Sequence, residues 1–443
     1  MTINRFLPAL LAAGLLLGGP AYAAKGDNVA GAIDARTFDQ LMQAQELTEA
    51  GQHAEALKVL DGLKASGKLN GYAQSQMYNF YAFIYANQEN YPKAIDAYKQ
   101  VLGLEDATEG LKLTAKYSIA QMYFQIEDYQ ACIRFMEDWL KQVDTPTPTA
   151  HIMLAQAYYQ TEAYDKALSN VSTASKLEAA AGKPIPESWL RLTAALYYAK
   201  NDYAKTARVY EELIRRYPKV SYLKQLAGMY SELGEEKKRL AAYDAVYEHG
   251  ALSKEAEVLN LAYMYLGQDV PYKAGKIIEA GMNAGQIEKS AKNVETLANA
   301  WAAASEYKKA VPALQQAAKM SDKGLLYARL AGVYFDAGDY AEAAKAARNA
   351  DQKGGLKNSA SNLMLLGMAN FNDKQYEDAL QAFRRAKKDK SNYAAAAQWE
   401  DYTMAEIQRI KALEQAKFEL QKRTEQTIQE QQDGEAVIEM RDE

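Results

Sequence analysis

Apolar and small residues recur along the chain in a frame that comes back again and again. In its clearest copy Leu330, Ala331 and Tyr334 share one helical face, Gly338 follows, and Tyr340 and Ala343 open a second stripe that runs to Ala350. Residues at i, i+1 and i+4 lie on one side of a helix. A glycine just beyond them tolerates the left-handed conformation that closes a helix. The frame therefore predicts two helices joined by a short turn, with Ala331 small enough to let the second approach the first. It returns as Ala155, Tyr158, Tyr164 and Ala167, as Ala82, Tyr85, Tyr91, Ala94 and Tyr98, and as Leu297, Ala298, Trp301, Tyr307 and Ala310.

An aromatic or His residue three places before a small one marks each second helix. These anchors are His53, Tyr91, Tyr129, Tyr164, Tyr203, Tyr272, Tyr307, Tyr340 and Tyr376, with a degenerate tenth at Glu236. The ten positions are separated by 38, 38, 35, 39, 33, 36, 35, 33 and 36 residues, the length of one helix-turn-helix unit with its turns. One hairpin cannot bury its own apolar face, so the prediction is a stack of about ten hairpins, each dependent on its neighbours. Two copies depart from the frame: Thr206 and Arg239 occupy the small-residue slot, and the turn from Gly267 to Tyr272 reads as one residue longer.

Composition narrows the reading. A chain of 443 residues could hold two or three globular domains, yet no Pro- or Gly-rich linker divides it, so one continuous array is expected. No run of β-branched residues alternates with polar ones, which argues against strands. Aromatic content is dominated by 32 tyrosines, as expected where every hairpin uses one or two in packing. A formal charge of −5 without a basic patch makes nucleic acid an unsuitable partner.

The first residues read as an export signal. Arg5 precedes an apolar run from Phe6 to Leu17, followed by Ala21, Tyr22 and Ala23, a small-x-small cleavage site. The run is shorter than the about 20 apolar residues a membrane span needs. Cleavage after Ala23 would leave a periplasmic chain with no membrane span. Cys132, the one cysteine, stands in the small-residue slot and is expected to be a buried thiol.

Catalytic chemistry finds no footing. His53, His151 and His249 lie in different hairpins, without a second His or Cys at ligand spacing. There is no Gly-x-Ser-x-Gly, phosphate-binding Gly-Lys-Ser or Gly-Lys-Thr loop, or His-Glu-x-x-His. We expect no enzyme, no metal, no cofactor and no small-molecule substrate. An envelope enzyme would need a separate domain of about 100 residues, and none remains once the hairpins, signal and tail are assigned.

Binding residues are better supported. In stacked hairpins the first helices line the concave side. Counting from the anchors places Tyr117, Gln121, Phe124 and Gln125 of one hairpin, and Gln156, Tyr159 and Gln160 of the next, at inward positions. The preceding hairpin adds Asn79, Phe83 and Asn87, and the following one Arg191 and Tyr198. Amides carry donors and acceptors, so a row of them can pair with the backbone of an extended peptide while rings take its side chains. The competing reading is an ordinary solvated helix face.

The chain ends differently. The basic run Arg384 to Lys390 suits the negative end of a helix dipole. Beyond it Trp399, Tyr402, Ile407, Ile410 and Leu413 form the stripe of a further helix over residues 393–417, fitted to cover the open end of the stack. Residues 418–443 turn Gln- and Glu-rich and read as an acidic tail.

The frame resembles the tetratricopeptide repeat over roughly residues 37 to 390. The resemblance implies an all-α, right-handed superhelical α-solenoid; with the readings above, the chain divides into a signal peptide at 1–23, hairpins over 24–392, a C-terminal capping helix at 393–417 and a tail at 418–443. The run from Tyr117 to Tyr129, continuing to Trp139 and Leu140, is similar to tetratricopeptide proteins found with TonB-type energy-transduction modules in Gram-negative bacteria, as is the ending Ala397 to Tyr402. That likeness implies a periplasmic interaction scaffold with ExbB, ExbD or TonB as partner, serving uptake of iron chelates. A scaffold for cell-wall or outer-membrane protein assembly is the alternative.

Overall fold

The computed structural model describes residues 33–321 and 323–439. The signal peptide expected at 1–23 lies outside them. All regular structure among the described residues is helical, in twenty-one helices. Two compact units divide the chain between Glu235 and Glu236.

The first unit pairs α1 (Ala35–Glu49) with α2 (His53–Ala65), α3 (Gly71–Asn87) with α4 (Tyr91–Gly103), and α5 (Glu109–Gln125) with α6 (Tyr129–Gln142). It continues with α7 (Pro148–Gln160) and α8 (Tyr164–Ala180), then α9 (Glu187–Ala199) and α10 (Tyr203–Arg216), and ends on α11 (Val220–Glu232). The second unit starts with α12 (Glu236–Glu248) and pairs α13 (Glu255–Gly267) with α14 (Pro271–Asn283) and α15 (Ala291–Ala303) with α16 (Tyr307–Lys319). Its last pairs are α17 (Gly324–Asp336) with α18 (Tyr340–Lys353) and α19 (Ser359–Asn372) with α20 (Tyr376–Ala386), before α21 (Tyr393–Glu439). Within each unit successive hairpins stack as a solenoid.

The turn explains why the anchors recur. Eight of the nine anchors are the first residue of a second helix. Two places before each helix start sits a residue in the left-handed region: Gly51, Glu89, Glu127, Glu162, Asn201, Ser305, Gly338 or Lys374. The next residue donates its backbone N–H to a carbonyl five positions back, as in Asp128 to Tyr123 at 2.9 Å and Asp339 to Tyr334 at 2.9 Å. This is the Schellman closure, which satisfies carbonyls left open at a helix end. Asn90, Asp128 and Asp202 then cap the second helix, each accepting from the backbone N–H three residues on.

The long turn expected at Gly267 to Tyr272 is corrected by this geometry. The second helix starts at Pro271, Asp269 holds the left-handed position, and Ala274 fills the small slot. The turn has the ordinary length, and Tyr272 is one place past the frame.

Three residues into the second helix the slot is fully enclosed. Ala56, Ala94, Cys132, Ala167, Thr206, Ala274, Ala310, Ala343 and Ala379 all have 0% exposure. Thr206 fits because its hydroxyl donates to Asp202 O at 2.8 Å. Arg239 cannot enter such a slot and stays half-exposed, and α12 buries only Ala242 and Val246. The boundary between the two compact units falls here, beside the copy least able to bury a shared face.

Polar rungs between hairpins, unread in the sequence, follow the same frame. The residue eight past one helix start meets the residue six before the next. Glu137 accepts from Tyr158, Glu211 from Tyr230 at 2.6 Å, and Gln315 donates to Tyr334 at 2.6 Å. Arg348 and Asn370 make the same rung at 3.1 Å, and Lys99 lies over the Tyr123 ring at 5.6 Å. Within a hairpin, the lysine two past the start covers the same ring: Lys93 over Tyr85, Lys166 over Tyr158, Lys205 over Tyr197, Lys273 over Tyr265 and Lys309 over Trp301.

Helix α21 covers the last hairpin through Trp399, stacked on Phe383 at 5.5 Å, and through Glu400, which binds Arg384 and Lys387 at 2.9 Å each. The basic run therefore holds the terminal helix as well as ending α20. Tyr402 and Leu413, expected in the packed stripe, are 58% and 48% exposed: Tyr402 sets its ring against Phe371 at 5.2 Å and leaves the rest open, and Leu413 lies where burial has faded after Ile410. The helix itself continues past 417 to Glu439, so the change at 418 is one of composition, not of secondary structure.

Candidate functional site

Counted from the helix starts, positions −15, −12, −8, −5 and −4 of each first helix fall within about 100° of one another at 100° per residue. They form one face. Because α3, α5, α7 and α9 occupy equivalent places in successive hairpins, their faces make a continuous wall in the first unit. Every binding residue singled out from the sequence lies on it.

The structure divides those residues by what they touch. Gln125, Gln160 and Asn87 are exposed, and Gln121 and Gln156 are half-buried. Asn79 departs from the expectation: at 7% exposure it is enclosed, and its Oδ1 accepts no hydrogen bond. A side chain this buried belongs to the inside of the wall rather than to an open surface. Phe83 is half-buried.

The rings depart as well. Phe124 packs edge-on against Tyr129 at 5.3 Å, while Tyr159 and Tyr198 sit tilted against Tyr164 at 6.0 Å and Tyr203 at 5.9 Å. Each is the −5 residue meeting the anchor across the turn, and Phe335 with Tyr340 and Phe371 with Tyr376 repeat the contact in the second unit. A turn of constant length always brings these two positions together. The aromatic pair five apart was visible in the sequence, but its repetition is a packing signal. Tyr117 is likewise engaged, by Trp139 at 5.0 Å. Tyr198 alone keeps most of one side open, at 53% exposure.

Electrostatics change at the α9 end. Glu187 is drawn below the usual carboxylate range, first by hydrogen bonding from Lys219 and Tyr222, with the positive charge of Arg191 adding to it. Lys219 Nζ lies 2.6 Å from Glu187 Oε1. Burial, and then the bond to Glu187, push Tyr222 up to about 12. The charge of exposed Arg191 is thus set beside a carboxylate and a group of phenols that includes Tyr210.

Other candidates resolve into packing. Cys132 is buried, and loss of solvent raises its thiol to about 12. His151 Nδ1 meets Asn170 at 2.9 Å and His249 Nδ1 meets Ala245 O at 2.7 Å. Among the described residues no group of three His, Cys, Asp or Glu is placed to hold a metal ion, and no helix is long and apolar enough to cross a membrane.

Residues 329–397 match the tetratricopeptide repeat family, and residues 48–181 match the RNPP family C-terminal domain. No curated protein matches the chain. Among solved structures it is similar to a tetratricopeptide repeat protein from Parabacteroides merdae, at 17% identity and a TM-score of 0.28, over 58% of this chain and 98% of that one. The C-terminal part of a TPR repeat-containing protein from Cytophaga hutchinsonii is similar at 14% identity and a TM-score of 0.40, over 54% and 93%. The Naa15/Naa10 assembly bound to HypK-THB is similar at 14% identity and a TM-score of 0.42, over 84% and 68%.

Proposed function

We propose that this tetratricopeptide-repeat protein is a protein-binding scaffold of the bacterial envelope, a periplasmic accessory of a TonB-type system for uptake of iron chelates. One observation carries the binding role. Gln121, Gln125, Gln156 and Gln160 stand at matching −8 and −4 positions of two neighbouring first helices, open to solvent in part or whole. Four amides in two registers offer an extended chain paired donors and acceptors, and each such bond contributes about 1 kcal/mol. The TonB assignment draws on the likeness around Tyr117 to Tyr129 and Ala397 to Tyr402, and the location on the apolar run ending at Ala23.

The mechanism is positional. The wall holds an extended segment of ExbB, ExbD or TonB by many modest contacts, and the stacked hairpins keep those contacts in register. The test removes the amides and spares the rings, because Phe124 and Tyr159 close their own hairpins. The variant Gln121→Ala, Gln125→Ala, Gln156→Ala, Gln160→Ala should keep its helical signal and melting temperature. It should lose at least ten-fold in recovery of ExbB, ExbD or TonB after crosslinking in living cells. Recovery equal to the parent chain would sink the proposal.

A further inference from the structure

Charge is missing from the wall of the first unit. The twenty positions at −15, −12, −8, −5 and −4 of α3, α5, α7 and α9 include a single charged residue, Arg191. Elsewhere the chain spends a quarter of its residues on Asp, Glu, Lys and Arg; with Asn79, Ala86 and Ile152 buried, about four would be expected among the other positions. Arg191 lies near Glu187, which Lys219 already pairs at 2.6 Å, so what charge the wall has is confined to its α9 end. In place of charge the wall presents amides at Gln76, Asn87, Gln121, Gln125, Gln156 and Gln160. Behind them, Asn79 Oδ1 is enclosed without a hydrogen-bond donor.

We infer that the wall reads uncharged, extended polypeptide through its backbone, and that charged segments are rejected. This rests on the binding role proposed above and specifies its partner class. The physical reason is desolvation. Over α3, α5 and α7, away from Arg191, a charged side chain brought against amides and rings loses water and finds no counter-ion, whereas a peptide backbone exchanges its water for glutamine amides at little cost. Four first helices at about 10 Å per step span about 30 Å, the reach of about nine extended residues. Binding without ion pairs also carries little dependence on salt.

Selection of a randomised dodecapeptide library on the full-length chain tests this. Retained peptides should be depleted at least two-fold in Asp, Glu, Lys and Arg relative to the input. Their Kd should change less than two-fold between 50 and 500 mM NaCl, and retention should vanish with the four-glutamine variant. The change Gln125→Lys with Gln160→Lys should convert the preference to acidic peptides and make binding salt-dependent. Retained peptides rich in charge, or a Kd that rises ten-fold with salt, would overturn the inference and leave the scaffold standing. An empty selection, or competition for the same wall by a neutral glucan oligosaccharide, would overturn both.

Discussion

At the scale of single residues the turn sets the sharpest expectations. Gly338 has φ of 80° and open space where a Cβ would stand, so Gly338→Ala should cost roughly 1 kcal/mol through conformation alone. Glu162 holds the same place at φ of 59°, and Glu162→Gly should stabilise by a smaller amount, because glycine also loosens the unfolded chain. Urea unfolding of both variants checks the opposite signs. Cys132 should resist thiol reagents at pH 8 and react only when denaturant opens the hairpin, since its thiol is buried and raised to about 12. A native protein labelled within seconds would contradict that burial. The small slot, the anchors and the glycine turns were all legible as residues. The non-glycine left-handed positions were not, because Glu, Ser and Lys carry no turn signature of their own.

At the scale of helices, stability depends on rungs that join one hairpin to the next. Burial, then the hydrogen bonds to Asp61, Glu137, Glu187 and Glu211, raise Tyr81, Tyr158, Tyr222 and Tyr230 above the ordinary phenol. Below about pH 10 these phenols are protonated folded or unfolded, so they leave stability independent of pH. Above it the unfolded chain releases protons that the folded chain retains, and stability falls as pH climbs toward 12. Melting temperatures followed by circular dichroism should be flat from pH 8 to 9.5 and fall steeply from 10 to 11.5. The terminal helix depends on Glu400, itself held ionised by Arg384 and Lys387. Glu400→Ala should speed amide hydrogen exchange across 393–410 and leave the first unit unchanged. These rungs escaped sequence reading because their partners are 19 to 35 residues apart, and the tyrosines, though part of the frame, carry no mark of which polar side chain they will meet.

At the scale of the whole molecule, burial follows the repeats and fades along α21. Every side chain from Lys411 to Gln431 is exposed. Changing Leu413, Leu420 and Ile428 together to Gln should therefore leave the melting temperature within about 1 °C. A drop of 5 °C or more would mean that this segment packs on something. The division at Glu235 lies beside α12, whose helix start is Glu236 and whose slot holds Arg239. Both departures were visible in the sequence, yet a repeat that keeps its length while losing its buried face still reads as one more copy.

The amino-acid sequence alone determined the helices, their pairing and most of their ends, because spacing at three and four residues, caps and left-handed turns act within a few positions of the chain. Tertiary structure alone decided which rings of the wall are open and which polar pairs bridge hairpins. Those outcomes depend on the register between helices, and no local pattern of apolar and polar residues records it.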